Sequence, residues 1–189
     1  GVRLFVVDIF YVPSDSMRPT LIGGDVVLLN RLAYAVREPK HGDVVIFRHP
    51  DNAYFVMTKR VVGVAGDSVN ATIPGLLRLN GVSVSRRPID GAAGRWQECL
   101  GPHACYTIED AGLSLDSVVG RSVIVGGRHL YVLGDSRSAS IDSRQGWQVP
   151  VANVLGRVER VAWSINPADL GLLAWFGQWR WSRTGAVVR

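Results

Sequence analysis

Three short segments of this chain concentrate residue types that can hydrolyse an amide bond. Residues 13–20 read PSDSMRPT and contain Ser16, residues 59–67 read KRVVGVAGD and begin at Lys59, and residues 134–144 read GDSRSASIDSR. A serine hydroxyl is a weak nucleophile at neutral pH, so a neighbouring base must take its proton before it attacks a carbonyl carbon. Serines and an ionisable base in separate short segments therefore indicate nucleophilic catalysis.

The expected base is a lysine. Histidine usually takes the proton of a catalytic serine, but none of the four histidines lies in these segments. Lys59 stands between Met57 and Val61 in an apolar pattern typical of a strand, where burial would favour the neutral amine and lower its pKa. A neutral amine can accept the proton of Ser16, and Ser/Lys pairs of this kind occur on unrelated folds.

Taken in order, five motifs resemble the conserved boxes of bacterial type I signal peptidases. They are PSDSMRPTL at 13–21, GDVV at 24–27, GDVVIF at 42–47, KRVVGVAGD at 59–67 and GDSRSASIDSR at 134–144. Alone, Ser16 would be an ordinary turn serine and Lys59 an ordinary surface lysine, but the ordered set of motifs reverses that interpretation. The resemblance runs from residue 10 to residue 163, and the cysteine spacing and the RWSR ending at 180–183 are similar to the Gram-negative branch.

The resemblance implies a catalytic role for five side chains. Ser16 would be the nucleophile and Lys59 the general base. Ser140 would hydrogen-bond the lysine amine and help to orient it, while Asp142 and Arg144 would form an ionic network that steadies the third segment. Such supporting contacts keep a catalytic pair in a productive geometry.

The resemblance also implies an oxyanion hole and substrate pockets. The hydroxyl of Ser14 and the backbone N–H of Ser16 would stabilise the negative charge that develops on the scissile carbonyl. Small residues at the first and third positions before the cut, an Ala-x-Ala pattern, would enter shallow apolar pockets lined by Val12, Pro13, Met17 and Leu21.

Two features depart from the family pattern. Asp15 stands where the Gram-negative enzymes often have glycine, and its charge would oppose a developing oxyanion unless the side chain points away. Ser136, Ser138 and Ala139 stand where Asn, Asp and Asn are frequent. We expect these departures to affect loop stability and rate more than mechanism.

The elements that must position these residues are predicted to be strands. Short β-branched runs broken by Gly, Asp and Pro are typical of an all-β domain, and they occur at 25–30, 43–47, 57–64, 129–133 and 156–165. Between 76–79 and 82–85, the pair Asn80 and Gly81 predicts a type I′ hairpin turn. Residues 86–128 are richer in Gly, Arg and polar residues and are predicted to be irregular.

The expected architecture is mainly β: a signal-peptidase-like β fold with an irregular β insertion and few short helices. Residues 1–66 and 129–189 would form the catalytic core. Residues 67–128 would form an inserted hairpin and irregular subdomain that carries Cys99 and Cys105. These two cysteines either close a small disulfide loop, which would indicate an oxidising compartment, or remain free thiols.

Composition narrows the class of protein. With 189 residues, 47% of them hydrophobic, the chain can bury a core and is not expected to be disordered. The net charge of +5 suits nucleic acid, an anionic membrane or no particular partner. No zinc-finger spacing, aromatic RNA-binding segment or dense basic run supports nucleic acid. No histidine pairs with another or with a cysteine at ligand spacing, so neither a metal nor a cofactor is expected.

Location is predicted from the resemblance and from the tail. No apolar run reaches the roughly 18 residues of a membrane-spanning helix, and the N-terminus has no export-signal pattern. We expect a piece of a longer inner-membrane protein, with its anchor outside this chain and its catalytic domain facing the periplasm. The aromatic tail at 170–181 suits either a lipid–water interface or a terminal helix packed on the body. Exported preproteins and the lipid surface are the expected partners.

Two alternatives stay open. One is a related Ser/Lys processing protease, such as a conjugative pilin peptidase or a LexA-type self-cleaving repressor, although residues 1–15 lack the scissile Ala-Gly of such a repressor. The other is a catalytically silent β domain that binds exported polypeptides. The presence of both Ser16 and Lys59 argues against the silent domain.

Overall fold

The largest sheet in the described part of the chain has seven antiparallel strands, in the order β1-β2-β14-β3-β4-β12-β13. The computed structural model describes residues 7–73, 76–110, 122–166 and 179–188. The strands of this sheet are β1 Val7–Tyr11, β2 Asp25–Asn30, β3 Val44–Arg48, β4 Val56–Gly63, β12 His129–Leu133, β13 Val149–Pro150 and β14 Val154–Ser164.

Two smaller antiparallel sheets come from the middle of the chain. One has the order β11-β5-β6-β7 and the other β10-β9-β8. Their strands are β5 Ser68–Ile73, β6 Leu76–Leu79, β7 Val82–Ser83, β8 Ser85–Pro88, β9 Arg95–Cys99, β10 Cys105–Glu109 and β11 Val123–Ile124. The helices in the described ranges are short 3₁₀ turns at Arg137–Ala139, Ser143–Gln145, Val151–Asn153 and Trp181–Arg183.

The mainly β prediction is confirmed, and so is the hairpin turn. The predicted strands 25–30 and 129–133 have the predicted bounds, and the other three differ by one or two residues. Strands β6 and β7 pair across Asn80 and Gly81, whose φ angles of 53° and 79° are the positive values that a type I′ turn needs.

The prediction that residues 86–128 are irregular is wrong for part of that stretch. Strands β8, β9 and β10 form a regular sheet in which Glu98, Tyr106 and Ile108 are buried. A glutamate takes one of the inward positions, which hides the alternation of apolar and polar residues that usually predicts a strand.

The predicted subdomain boundary coincides with a change of sheet. The large sheet takes its strands from residues before 66 or from 129 onward, and the two small sheets take theirs from residues 68 to 124. One buried cluster nevertheless joins the two parts, because Val62 and Leu133 of the large sheet pack with Val69 and Leu77 of the insertion. The division into two units stays a prediction.

Much of the predicted aromatic tail, including Trp175 and Phe176, lies outside the described residues. Within them, the exposed Trp179 and Trp181 rings stack with centroids 5.3 Å apart. None of the helices described is both long enough and apolar enough to cross a membrane.

Candidate active site

The loop between β1 and β2 is held at both ends so that Ser16 stands at the surface. Val12 continues the ladder with β2, because its N–H donates to Asp25 O at 2.8 Å and its own carbonyl accepts from Gly24 N. Val12 and Met17 are buried in the core under the loop. Because these side chains anchor the loop on either side, the residues between them lie at the surface, with Ser14 exposed and Ser16 half-buried.

Lys59 reaches Ser16 from strand β4. Its side chain is almost fully enclosed, with 3% of the residue exposed, and its Nζ lies 2.7 Å from Ser16 Oγ. The charged amine donates a hydrogen bond at this distance, and the neutral amine can accept the hydroxyl proton instead. The two residues come together from positions 43 apart in the chain, in the geometry required of a nucleophile and its base.

Burial sets the protonation of this lysine. Loss of solvation lowers the pKa of Lys59 from its ordinary 10.5 to about 8, although the carboxylates of Asp142 and Asp135 oppose the shift. A substantial fraction of the amine is therefore neutral slightly above neutral pH.

Ser14 places a second hydroxyl beside the nucleophile. Its Oγ donates to Ser16 Oγ at 3.4 Å, which is long for a hydrogen bond between hydroxyls. Ser14 is exposed, so its hydroxyl can turn toward a group bound next to Ser16.

The carboxylate of Asp15 is directed back into its own loop. It accepts from the N–H of Gly23 at 2.8 Å and lies 3.4 Å from the guanidinium of Arg18. These contacts engage the charge away from the Ser14 and Ser16 hydroxyls, and they close the loop across its base.

The third segment packs against the backbone of Ser16. The N–H of Ser136 donates to Ser16 O at 3.1 Å. Gly134 must be a glycine, because a Cβ there would collide with Ser140 and with the carbonyl oxygen of Ser16. The segment is in turn held by Asp142, which accepts from Gly134 N at 3.0 Å and from the guanidinium of Arg144 at 2.7 and 2.9 Å.

Ser140 does not make the contact expected of it. Within the described parts of the chain, its hydroxyl donates to the carbonyl of Ile141 at 3.4 Å and makes no hydrogen bond to Lys59. The extended backbone at Ser140, with φ −126° and ψ 130°, leaves its side chain against Gly134 instead. A direct role for Ser140 in orienting the lysine stays a prediction.

A cavity of about 350 Å³ opens beside the Ser16 and Lys59 pair. Of the four residues predicted to bind substrate, Val12, Pro13 and Met17 line it. Leu21 is 0% exposed and packs in the core, so in the described structure it supports the loop from below. Sequence reasoning missed five further residues of the wall: Phe10, Tyr11, Val56, Met57 and Thr58.

Unpaired strand edges border this cavity. Strand β1 lies at the end of the sheet, and within the described residues β12 pairs with β4 only at Arg60, Val61 and Gly63. The first half of β4 therefore pairs with β3 alone. An extended peptide can add to such an edge through main-chain hydrogen bonds.

Sequence reasoning also missed a buried charge pair behind the lysine. Arg60 and Asp135 are both fully buried, joined by two hydrogen bonds of 2.7 and 2.6 Å, and Thr20 donates to the same carboxylate at 2.5 Å. Alternation along β4 puts Arg60 on the opposite side from Lys59. The sequence does carry a signal for this pair, because Arg60 stands within an apolar strand and a buried charged residue needs a partner.

The two cysteines face each other on the paired strands β9 and β10. Cys99 and Cys105 are opposite in the register, and a disulfide of 2.07 Å joins their sulfur atoms. The bridge closes the turn of this hairpin at its exposed end.

Comparison with known proteins supplies the family. The sequence model described as "Signal peptidase, peptidase S26" matches residues 1–163. Signal peptidase I of Pseudomonas fluorescens is 34% identical over 166 residues, which cover 78% of this chain and 58% of that protein. Signal peptidase I of Leptolyngbya laminosa is 30% identical over 175 residues, covering 88% of this chain and 73% of that protein.

A crystal structure of a signal peptidase I from Enterococcus faecalis V583 has 25% sequence identity and a TM-score of 0.42, over 65% of this chain and 97% of that chain. The chain spans less than two thirds of the length of the Pseudomonas relative. Because the family model covers most of its residues, the resemblance of the five motifs is confirmed, and this chain belongs to the signal peptidase family, peptidase S26.

Proposed function

We propose that this chain is the catalytic part of a type I signal peptidase, an endopeptidase that removes N-terminal signal peptides from exported preproteins. The observation that carries the proposal is the 2.7 Å contact between Ser16 Oγ and the enclosed amine of Lys59. Pairs of this kind activate a serine for acyl transfer.

The reaction follows from this contact. Neutral Lys59 takes the proton of the Ser16 hydroxyl while Oγ attacks the scissile carbonyl carbon. The hydroxyl of Ser14 and the N–H of Ser16 stabilise the resulting oxyanion. The lysine ammonium then protonates the leaving amine as the peptide bond breaks. In the second half, Lys59 takes a proton from a water molecule as the water oxygen attacks the ester on Ser16. The lysine ammonium then returns this proton to Ser16 Oγ as the ester bond breaks and the signal peptide leaves.

The cleft supports a preference for small residues at an Ala-x-Ala site. Val12, Pro13 and Met17 form an apolar wall beside the nucleophile, and the cavity of about 350 Å³ extends along two strand edges. A substrate strand bound there would direct alternate side chains to the wall. Large side chains next to the cut would meet this wall, which leaves room for alanine.

Location at the periplasmic face of a bacterial inner membrane is part of the proposal. The Cys99–Cys105 bridge suits an oxidising compartment. Ile9, Tyr11 and Phe55 are exposed on or next to the segments that line the cleft, and such apolar side chains suit contact with lipid.

A cleavage assay tests the proposed function. A preprotein with an Ala-x-Ala site should be cut once, after the second alanine, as shown by mass spectrometry of both products in a single-turnover experiment. Ser16→Ala is the control and should leave the preprotein intact. A domain that only binds polypeptides would retain the preprotein uncut, and a Ser/Lys protease of another type would cut elsewhere. Either result would contradict the proposal.

The pH dependence of the rate tests the lysine base. Because the active amine is neutral, kcat/KM should rise with pH and level off above the Lys59 pKa of about 8. At pH 6 it should be about 100-fold below the plateau, since the neutral fraction falls about tenfold per pH unit. The measurement uses a peptide without titratable side chains, so that only the enzyme titrates. A flat profile from acid to alkaline pH would exclude Lys59 as the base.

A further inference from the structure

A buried ion pair links the inserted disulfide hairpin to the third segment. Glu98 of β9 is 1% exposed, and its two carboxylate oxygens accept from the guanidinium of Arg137 at 2.8 and 2.5 Å. Burial alone would raise the pKa of Glu98, but Arg137 outweighs burial and keeps the pKa below its ordinary value. Taking two charges out of water costs several kcal/mol per ion, so such a pair adds little net stability. Its position suggests what else it does.

Arg137 holds the peptide groups that contact the nucleophile. Its Nε donates to Gly134 O at 3.1 Å, while the N–H of Gly134 donates to Asp142. Two residues further along the chain, the N–H of Ser136 donates to Ser16 O at 3.1 Å. Arg137 therefore holds the backbone of residues 134–136 at the Gly134 carbonyl. The same short stretch contacts Ser16 through the N–H of Ser136, so its position helps to determine where Ser16 lies.

The same hairpin also contacts Arg60, through Tyr106. The Tyr106 hydroxyl donates to Glu98 at 2.7 Å, and the guanidinium of Arg60 lies 4.0 Å from the centre of the Tyr106 ring. Arg60 in turn forms the buried pair with Asp135. Strand β10 adds a direct contact, since Glu109 N donates to Asp135 O at 2.9 Å.

We propose that Glu98 is a positioning residue: through Arg137 and Tyr106 it holds the Gly134–Ser136 backbone against Ser16, which makes the inserted hairpin part of the catalytic machinery. This inference rests on the proposed function. Among the described residues, Glu98 is the carboxylate that Arg137 and Tyr106 share. Within the described ranges, the hydrogen bonds of Glu98 go to Arg137 and Tyr106 and none goes to Ser16 or Lys59, so we expect its effect to pass through the segment.

Glu98→Gln removes the charge and keeps the shape of the side chain. We expect kcat for preprotein cleavage to fall about tenfold, with KM within about twofold, because a loosened segment misplaces the nucleophile without changing the cleft wall. Arg87→Gln is the matched control, since it also removes a charge from this sheet, but at an exposed position on the neighbouring strand β8. Its kinetics should match the wild type.

A titration separates positioning from activity and from folding. The segment carries Asp135 and leads to Asp142, and both carboxylates raise the pKa of Lys59. If Glu98→Gln lets the segment move, this pKa should fall, by about 0.5 unit. NMR of lysine labelled with ¹³C at Cε measures it directly, and Lys40, the other lysine of the chain, is the internal control. NMR detects Lys59 whether or not the protein cleaves preproteins. A failure of the proposed function can therefore be distinguished from a failure of the positioning role of Glu98.

Glu98→Gln leaves Arg137 buried without its counter-ion, and this variant could unfold for that reason. The double variant Glu98→Gln with Arg137→Gln removes both charges and should recover stability while retaining the defect in kcat and the shifted pKa. If the folded double variant has wild-type kcat and an unchanged Lys59 pKa, Glu98 is merely structural and the inference is overturned.

Discussion

Ser16→Ala and Lys59→Ala should each reduce kcat for preprotein cleavage by about 10³-fold or more, with the protein still folded. The effects should be similar and far from additive, because a nucleophile and its base act as one unit. Ser83→Ala and Lys40→Ala are matched controls, since both residues are exposed and lie outside the contact of 2.7 Å. Residual activity above about a tenth of the wild type in either dyad variant would refute the assignment.

Stability measurements on the lysine variant show that lost activity is not lost folding. The folded-state pKa of Lys59, about 8, lies below its ordinary 10.5, so below pH 8 the folded protein must hold a buried ammonium. Lys59→Met removes that cost and should raise the free energy of unfolding at neutral pH, by up to about 3 kcal/mol. Between pH 8 and 10.5 the unfolded wild type binds more protons than the folded form, so the advantage of the variant shrinks there. If Lys59 serves catalysis at a cost in stability, Lys59→Met should be inactive and also more stable than the wild type.

The strands were predictable because their sequences follow simple rules. Runs such as Asp25–Asn30 and His129–Leu133 are rich in β-branched and aliphatic residues and end at polar residues or glycine. The Asn80–Gly81 turn was predictable because few residue pairs adopt two successive positive φ angles. These are local properties, and local sequence determines them.

The supporting contacts of the site were not predictable, because they depend on partners distant in the chain. Glu98 and Arg137 are 39 residues apart, and Arg60 and Asp135 are 75 apart. The apolar neighbours of Arg60 in β4 indicate that it is buried but do not identify its partner, and nothing near Glu98 or Arg137 in sequence shows that its charge is buried. The burial of Leu21 was not predictable for a related reason, since a loop sequence does not show which apolar side chains face the cleft and which face the core.

The family motifs predicted that Ser16 and Lys59 would meet, but they did not predict the contacts of every motif residue. Ser140 lies in the predicted segment, yet its hydroxyl is directed to Ile141. Asp15 departs from the pattern, yet the N–H of Gly23 engages its carboxylate within the loop. A motif specifies residue types in order, whereas the direction of each side chain is set by the backbone that the surrounding packing imposes.

Ser14→Ala should lower kcat about 10²- to 10³-fold and leave KM nearly unchanged. The hydroxyl of Ser14 is exposed and lies 3.4 Å from Ser16 Oγ, too long for a strong bond in the free protein. Its contribution therefore arises only when negative charge develops on the scissile carbonyl, and a donor of this kind contributes roughly 2.7–4 kcal/mol to the transition state.

The side chain of threonine provides the sharper comparison at position 14. Ser14→Thr keeps a hydroxyl and should lose less activity than Ser14→Ala, provided that the added methyl group fits beside Pro13. Steady-state kinetics on a peptide with an Ala-x-Ala site give kcat and KM separately, and a loss confined to KM would mean that Ser14 binds substrate without stabilising the oxyanion. If Ser14→Ala keeps kcat within about threefold of the wild type, the Ser16 N–H is left as the oxyanion donor. A transition-state donor predicts a large loss of kcat in Ser14→Ala, a smaller loss in Ser14→Thr and an unchanged KM in both variants.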